Sequence, residues 1–312
     1  MKLSEVVGQY VTHKQSMGMR FSTEQRTLKS FCRAMGEIAM ADVGAAPVLG
    51  FIAGTGPVTS FWHRKREVLV GFYRFAIARG YCVASPLPTL VPKPPQPFVP
   101  YIYSREELRR LLEATSWCEH PRSKVQAYTY RALVLLLYGA GLRISEALSL
   151  TLNDVNLSTA LVQIRESKFY KTRLVPLGAD LVNELTRYAN QHSGHHSTRP
   201  DTPFFICRNG TGMTRRTADG IFCKLRLRAG VQRHDGGRFQ PRLHDLRHSF
   251  AVHRLISWYR QGADVQRLLP QLATYLGHVH IAATQRYLTM TPELLREASL
   301  RFERYALEGI HE

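Results

Sequence analysis

The chain has 312 residues, and 44% of them are hydrophobic, which is enough for two ordinary domains with buried cores and excludes a wholly disordered protein. Lys and Arg number 42 against 24 Asp and Glu, so the formal net charge is +18 and the isoelectric point is near 10.0. Because so large a charge repels itself in a compact domain, the composition predicts a polyanionic partner, and nucleic acid is a better candidate than an anionic membrane surface.

Two features of the composition bear on the cellular compartment. The chain has no run of 18 apolar residues, and its first ten residues, MKLSEVVGQY, lack the hydrophobic core of a signal peptide. The five cysteines form no Cys-x-x-Cys pair, so we expect small buried hydrophobic groups rather than disulfides or zinc ligands. The sequence therefore predicts a soluble cytoplasmic protein.

The first eighty residues show helical periodicity. Ser22 and Gln25 have the spacing of a capping box, and apolar residues then recur at helical intervals at Leu28, Phe31, Cys32 and Met35. A further helix is predicted over 59–79, ending at Gly80. Its flank carries basic residues, and the overall charge favours a phosphate-contacting surface over a merely solvated face: His63, Arg64, Lys65, Arg66 and Arg74.

A proline-rich segment divides the chain. Seven prolines lie between 86 and 100, and such a segment cannot be helical and favours extended conformations. Ser104 and Glu107 then have the spacing of a capping box that opens a second domain. We therefore predict a helical domain over 1–85, a linker over 86–103 and a second domain over 104–312.

The second domain has mixed patterning. A buried helix is predicted through VQAYTYRALVLLLYG, ending at Gly139 and Gly141. Short strands are predicted over 161–165, 173–177 and 204–206, and a polar hairpin joins the first two. Helices resume at residue 214, and the last begins at Thr291 and Pro292 and continues towards Tyr305. The predicted fold class is mainly α with a small β-sheet.

Four separated segments carry candidate chemistry. Arg143 follows a Gly-x-Gly break at a helix start, where a guanidinium and backbone amides can bind one phosphate. A hairpin, SKFYKTR, carries two lysines at 167–173. His244 and Arg247 are three residues apart and share a helix face. The fourth segment contains Leu-Gly-His, ending at His278, and Tyr287 nine residues later. Taken singly, Arg143, the hairpin and Tyr287 each have a structural explanation that is favoured over a catalytic one.

Together and in this order, the four segments resemble the tyrosine recombinase, or phage integrase, family. The family pattern is Arg, Lys, His-x-x-Arg, Leu-Gly-His and then Tyr nine residues on, and every element is present here. The resemblance covers about 105–305 by motif. The helical first domain and the linker agree in architecture only, and the resemblance implies a core-binding domain followed by a mixed α/β catalytic domain.

The resemblance implies a phosphate clamp and a nucleophile. Arg143 and Arg247 match the residues that clamp the scissile phosphate, His278 matches a further hydrogen-bond donor, and Tyr287 matches the nucleophile. Two guanidiniums and an imidazole can neutralise the charge of a phosphoryl-transfer transition state without a metal. Since the phosphotyrosyl bond conserves the energy of the broken bond, we expect no cofactor, neither ATP nor Mg²⁺. A phenol has a pKa of about 10, so the cationic pocket is expected to favour the phenolate.

The hairpin offers two lysines as candidates for the general acid. Lys168 matches the family's general acid, which protonates the leaving 5′ oxygen, but residues 169–170 are Phe and Tyr where glycine and a small polar residue are common. Lys171 is therefore a second candidate, and otherwise it and Arg173 are interpreted as DNA contacts. His244 matches a residue that assists proton transfer at the tyrosine. Two further residues match supporting positions: Glu146 and His248.

The resemblance further implies a site-specific recombinase that works on duplex DNA. Four protomers would pair two sites and pass through a 3′-phosphotyrosyl intermediate and a Holliday junction, with accessory DNA-binding proteins as possible partners at the bacterial nucleoid. The stretch Trp258–Pro270 resembles that of mobile-element recombinases, which integrate, excise or resolve cointegrates. The final helix, with one apolar face, would be exchanged between protomers: Leu295, Ala298 and Phe302.

Three other functions fit part of the sequence. A type IB topoisomerase uses the same chemistry without pairing two sites, and a catalytically silent regulator would share the charge. A metal-dependent nuclease would need clustered carboxylates, which are absent around the motifs. The histidine-rich stretch 191–196 has no carboxylate or cysteine nearby, so a solvated loop is favoured there over a metal site.

Overall fold

The structure is a computed structural model that describes the backbone of five stretches: 1–95, 98–165, 172–193, 199–237 and 239–308. Side chains are not described at 192–193 and 304–308. The two hairpin lysines, Lys168 and Lys171, lie outside the described residues. The chain divides into two compact units, Met1–Phe98 and Val99–Glu312, so the division falls within the proline-rich segment.

The first unit is helical, with a short 3₁₀ turn at Met40–Asp42. Its helices are α1 (Leu3–Ser16), α2 (Ser22–Met35), α3 (Ala45–Ala53) and α4 (Ser60–Ala78). Their apolar faces meet in one core, whose most buried side chains include Leu28, Phe31, Leu69 and Phe72. Burial of this surface is the main favourable contribution to the stability of the unit.

The predicted capping box of α2 is wrong. Helix α2 does begin at Ser22, but Phe21 is its N-cap residue, in a left-handed conformation with φ 47° and without a side-chain cap hydrogen bond. The Phe21 ring packs edge-on against Tyr10, with ring centroids 5.4 Å apart. Packing of this aromatic ring therefore accompanies an unusual backbone conformation at the helix start, which a local sequence pattern does not show.

The described residues of the second unit form nine α-helices and a small sheet. The helices are α5 (Arg105–Glu113), α6 (Ala127–Gly139), α7 (Ile144–Leu148), α8 (Ala179–Ser193), α9 (Arg215–Arg228), α10 (Asp245–Arg260), α11 (Val265–Leu276), α12 (Ala282–Gln285) and α13 (Pro292–Glu308). The capping box at Ser104 and Glu107 is confirmed, because each side chain accepts a hydrogen bond from the backbone N–H of the other residue. Among the described residues, no helix is both long enough and apolar enough to cross a membrane.

The sheet has three antiparallel strands in the order β1-β2-β3. These are β1 (Val155–Asn156), β2 (Leu161–Ile164) and β3 (Arg173–Pro176). Val162 pairs with Val175, and both side chains are buried, whereas Ile164 pairs with Arg173 at the base of the hairpin. The predicted strands at 161–165 and 173–177 are thus confirmed with slightly shorter bounds.

The predicted strand over 204–206 is wrong. This segment makes only isolated bridges, from Ile206 to Gly212 and from Pro203 to Thr151. Phe204 and Phe205 are both buried, with their rings nearly perpendicular and 5.0 Å apart. A regular strand would direct these two neighbouring side chains to opposite faces. An irregular backbone allows both rings to be buried in the same core.

The cysteines are all free, but they are not all buried. Cys118 and Cys207 lie in the core of the second unit, as predicted. Cys32 and Cys82 are half-buried, and Cys223 is exposed on α9. The expectation of small buried hydrophobic groups is therefore correct for two of the five.

Helix α10 lies at the centre of the helices that hold the motif residues. It packs against α6 on one side and against α11 and α13 on others. Its buried residues include Leu246, Phe250 and Leu255. Segments that are far apart in the chain therefore meet along the first two turns of α10.

Candidate active site

The turn between α6 and α7 places Arg143. Gly141 adopts φ +59°, a left-handed conformation, and Arg143 then forms the N-cap position of α7. A Cβ atom on Gly141 would lie 2.5 Å from Cδ1 of Phe250 and 3.1 Å from Cδ2 of Leu276. Glycine is therefore required here both by the backbone conformation and by the close approach of α10 and α11.

We predict that Gly141→Ala destabilises the second unit by about 2–5 kcal/mol. A left-handed alanine costs about 1–2 kcal/mol, and overpacking costs about 1–3 kcal/mol. Urea denaturation measures the loss. The matched control is Gly178→Ala, because a Cβ atom at Gly178 would meet no atom within 4 Å, and we expect a change within about 0.5 kcal/mol. Equal losses in the two variants would contradict the packing argument.

Glu146 is a buried carboxylate surrounded by arginines. Its oxygens accept hydrogen bonds from Arg143 Nη1 at 2.6 Å and from Arg173 Nη1 and Nη2 at 3.0 and 2.9 Å. Arg247 Nη1 lies 3.8 Å from Glu146 Oε2. Burial by itself raises the pKa of Glu146, but the hydrogen bonds and charges of Arg173 and Arg143 lower it to about 2. Three guanidiniums and one carboxylate therefore leave an excess of two positive charges.

Arg173 supports this cluster and does not face the solvent, which corrects its interpretation as a DNA contact. Its side chain is only 12% exposed, and its Nε donates to the carbonyl oxygen of Tyr275 at 3.0 Å. Gly277, which has φ +66°, lies against it, since a Cβ atom there would be 2.8 Å from Arg173 Nη1. The physical reason is the buried Glu146, which needs a paired cation.

Arg247 is a buried arginine that joins the motif segments. Its side chain is 2% exposed, and Nη1 donates to the carbonyl oxygen of Gly141 at 2.7 Å, while Nη2 donates to that of Leu276. Burial and the charge of Arg143 lower the pKa of Arg247 to about 10, so the guanidinium stays protonated at neutral pH. Arg143 is the more accessible member, with 26% of its side chain exposed.

His278 follows the C-terminus of α11, and both of its ring nitrogens have partners. Nδ1 lies 2.6 Å from Thr284 Oγ1, and Nε2 lies 3.2 Å from Arg247 Nη2. Because the guanidinium can only donate, Nε2 accepts, and Nδ1 then carries the proton that is donated to Thr284. Burial and the charges of Arg247 and Arg143 lower the pKa of His278 to about 4, so the imidazole is neutral.

Tyr287 lies in a 3₁₀ turn, Arg286–Thr289, and is almost fully buried. Its ring stacks beside that of His278, with centroids 6.1 Å apart. Burial raises the pKa of Tyr287 above the ordinary value, although the charges of Arg247 and Arg143 act to lower it. The expectation that the cationic pocket favours the phenolate is therefore not met, because burial has the larger effect on the pKa of Tyr287.

The imidazole nearest the Tyr287 hydroxyl belongs to His248. Its Nδ1 lies 3.2 Å from the phenolic oxygen. His244 precedes α10, and its ring centroid lies 5.0 Å from that of His248. Among the described residues, no hydrogen bond joins His244 to Tyr287. Sequence reasoning assigned His244 to the tyrosine and His248 to a supporting position, whereas the hydrogen bond to Tyr287 in the structure comes from His248.

The basic run on α4 is only partly available for contact with DNA. Arg64 is exposed, but Lys65 Nζ donates to the carbonyl oxygen of Phe51 at 2.6 Å and lies over the rings of Phe51 and Phe61. Arg66 is half-buried, with Nη2 3.5 Å from the carbonyl oxygen of Pro88. The Lys65 ammonium thus already has partners in the first unit, and its contact with DNA stays a prediction. The predictions for Arg64 and Arg66 stay predictions.

Two features of the site escaped the sequence reasoning. Thr284 is fully buried and fixes the His278 ring, but an isolated threonine gives no signal in the sequence. Arg286 adjoins the tyrosine, and its charge acts on both Tyr287 and His248. Within the described part of the chain, no group of three or more His, Cys, Asp or Glu residues is placed to hold a metal ion.

Comparisons with known proteins agree on one family. The sequence model of the phage integrase family matches residues 103–293. A Sinorhizobium fredii protein named as an integrase/recombinase is 33% identical over 308 residues, covering 96% of each chain. Tyrosine recombinase XerD of Mycobacterium tuberculosis is 30% identical over 291 residues, covering 88% of each chain.

Solved structures show the same fold. The Tn1549 transposon integrase in complex with transposon right end DNA matches with a TM-score of 0.69 at 16% identity, over 98% of this chain and 100% of that chain. A lambda integrase tetramer bound to a Holliday junction matches with a TM-score of 0.66 at 14% identity, over 92% of this chain and 77% of that chain.

Proposed function

This chain belongs to the phage integrase family of site-specific DNA recombinases, and from that premise we propose that it cleaves and rejoins duplex DNA through a covalent bond between a 3′ phosphate and Tyr287. The observation that carries this proposal is the convergence of Arg143, Arg247, His278 and Tyr287 from three of the four motif segments. Family membership favours this function over the topoisomerase, regulator and nuclease alternatives.

The charge of the cluster suits the reaction. In-line attack on a phosphodiester places additional negative charge on the non-bridging oxygens in the transition state. The excess of two positive charges around Glu146 can neutralise that charge without a large movement of the protein. Arg143 is the clamp residue that DNA can approach directly, whereas buried Arg247 acts through its field and by fixing the turn at Gly141.

The experiment that tests the function uses a nicked suicide duplex made from the DNA that flanks the gene. Loss of the short 5′ fragment prevents rejoining, so the wild-type protein should accumulate as an adduct that survives denaturation, in EDTA and without ATP. Peptide mapping should find the nucleotide on Tyr287. An adduct on another residue would contradict the assignment. Failure to form any adduct with either flank would contradict a mobile-element recombinase.

We propose Lys168 as the general acid that protonates the leaving 5′ oxygen. The base of its hairpin supports this, because Arg173 pairs with Ile164 across the sheet and also contacts Glu146. The strand ends that flank residues 166–171 are therefore held beside the arginine cluster. Lys171 is the alternative acid and is otherwise proposed to contact the DNA backbone.

We predict that Lys168→Ala loses about 10²–10⁴-fold in cleavage rate on ordinary DNA and recovers most of it on a 5′-bridging phosphorothioate. Sulfur leaves without protonation, so the variant no longer lacks an essential group. Single-turnover cleavage of the two duplexes measures the effect. Lys171→Ala is the matched control and should lose some affinity on both substrates. Rescue of Lys171→Ala alone would assign the acid to Lys171, and rescue of neither would mean that the hairpin only positions DNA.

We propose that four protomers pair two sites at the bacterial nucleoid in the cytoplasm and exchange α13. Its inner face packs on its own α10, where Leu294 is buried and Arg260 Nη2 lies 2.7 Å from Glu293 Oε1. Its outer face exposes Leu295 and Phe302, the latter at 71%. This unpartnered apolar face supports docking on a neighbouring protomer. The product would be integration, excision or cointegrate resolution, with accessory DNA-binding proteins able to select among them.

A further inference from the structure

One imidazole contacts the proposed nucleophile, and it is not the one that the family pattern assigns. We propose that His248 accepts the Tyr287 proton as the phenol attacks the DNA phosphate, and that it returns this proton when the strand is rejoined. His248 Nδ1 lies 3.2 Å from the phenolic oxygen, and the two rings are 5.6 Å apart. The inference rests on the proposed function, in which Tyr287 is the nucleophile.

The other imidazoles of the site are less suited to this role. His278 has one ring nitrogen 2.6 Å from Thr284 Oγ1 and the other 3.2 Å from Arg247 Nη2, so neither is directed at the tyrosine. His244 contacts the His248 ring edge-on. Within the described part of the chain, His248 is the only histidine whose ring nitrogen is hydrogen-bonded to Tyr287.

The surroundings keep His248 neutral and therefore able to accept a proton. Burial and the charges of Arg247, Arg242 and Arg286 lower its pKa to about 4. These charges come from its own helix, from the residues before it and from the tyrosine turn. A DNA phosphate in the site brings negative charge, which favours the imidazolium and raises the pKa towards neutrality. A general base is most effective when its pKa lies near the working pH.

The nucleophile needs this assistance. Burial raises the pKa of Tyr287 above the ordinary phenol value, so the hydroxyl is protonated when the DNA arrives. During cleavage the O–H bond of Tyr287 breaks, its proton moves to His248 Nδ1, and the phenolic oxygen forms a bond to phosphorus. The bond from phosphorus to the 5′ oxygen breaks, and a separate acid protonates that oxygen. Rejoining reverses each transfer, so no oxidant, reductant or other reactant is needed.

The test compares His248→Asn with His244→Asn in single-turnover cleavage of the suicide duplex across pH. The asparagine oxygen can accept the hydrogen bond of Tyr287 but cannot take its proton. We expect His248→Asn to lose about 10²–10³-fold near neutral pH. Its rate should then rise about tenfold per pH unit, because hydroxide must generate the phenolate. His244→Asn should keep a pH profile parallel to that of the wild type, whatever its rate.

A second substitution separates proton transfer from positioning. A fluorinated tyrosine at position 287 is a more acidic phenol and needs less help from a base. We expect it to restore most of the rate of His248→Asn, whereas the 5′-bridging phosphorothioate should not, because it acts only on the leaving group. His248→Gln, which also cannot take the proton, should behave in the same way and serves if the Asn variant does not fold.

Several outcomes would overturn the inference. A pH profile of His248→Asn and His248→Gln that is parallel to that of the wild type would leave His248 a purely structural role. Rescue of His244→Asn, and not of His248→Asn, by the fluorinated tyrosine would transfer the role to His244. A wild-type adduct on a residue other than Tyr287 would instead refute the proposed function, and peptide mapping of the adduct distinguishes the two failures.

Discussion

The Tyr287→Phe variant is expected to form no covalent adduct with a suicide duplex on which the wild-type protein accumulates one. The substitution removes only the attacking oxygen, and phenylalanine fills the same buried space beside His248 and His278. One hydrogen bond is lost, to His248, so the fold should be destabilised by no more than about 1–3 kcal/mol. DNA affinity should stay within about twofold, because the hydroxyl is buried away from solvent in the free protein.

The control for this variant is Tyr259→Phe. Tyr259 is half-buried against the same hydrophobic cluster as Tyr287, at the far end of α10. The Tyr259→Phe variant should cleave at the wild-type rate. That result would show that the loss of a phenolic hydroxyl from this cluster is tolerated. Denaturing gel electrophoresis of labelled duplex measures the adduct, and a mobility shift measures the affinity. Adduct formation by Tyr287→Phe would mean that the nucleophile is another residue.

The Arg143→Ala variant is expected to cleave about 10²–10³-fold more slowly than the wild type while its DNA affinity falls much less. The guanidinium stabilises charge that is largest in the transition state, so its removal affects rate more than binding. Arg143 is partly exposed, and its removal leaves Glu146 paired with Arg173. The fold should therefore survive, and the rate loss can be assigned to catalysis.

Arg247→Ala should show a similar rate loss together with an unstable fold. Its buried guanidinium bridges the carbonyl oxygens of Gly141 and Leu276, and removing one partner from a buried charged network costs about 3–5 kcal/mol. Single-turnover rates and urea denaturation separate the two effects. Arg187→Ala, at an exposed ion pair with Glu184, is the control and should change neither the cleavage rate nor the stability.

For Arg143→Ala, equal losses of cleavage rate and DNA affinity would contradict a catalytic role and would identify an ordinary phosphate contact.

Local sequence patterns were sufficient where the chemistry is local. The capping box of Ser104 and Glu107 involves residues three apart, and the structure confirms both hydrogen bonds. The predicted helix also forms around Arg247, although His244 is its N-cap residue and the helix begins at Asp245. The order of Arg143, the hairpin, His-x-x-Arg, Leu-Gly-His and Tyr287 was also readable, since a family pattern is a property of the chain.

Tertiary structure alone decided which of these side chains meet. Arg173 contacts Glu146, 27 residues away, and so supports the cluster where its position on a basic hairpin had indicated a DNA contact. Likewise, His248 and not His244 reaches Tyr287, because the packing of the 3₁₀ turn on α10, 39 residues away, determines which imidazole lies beside the phenol. Sequence spacing fixes the direction of a side chain on its own helix. The partner it meets is fixed by the packing of distant segments, whose burial outweighs local preference.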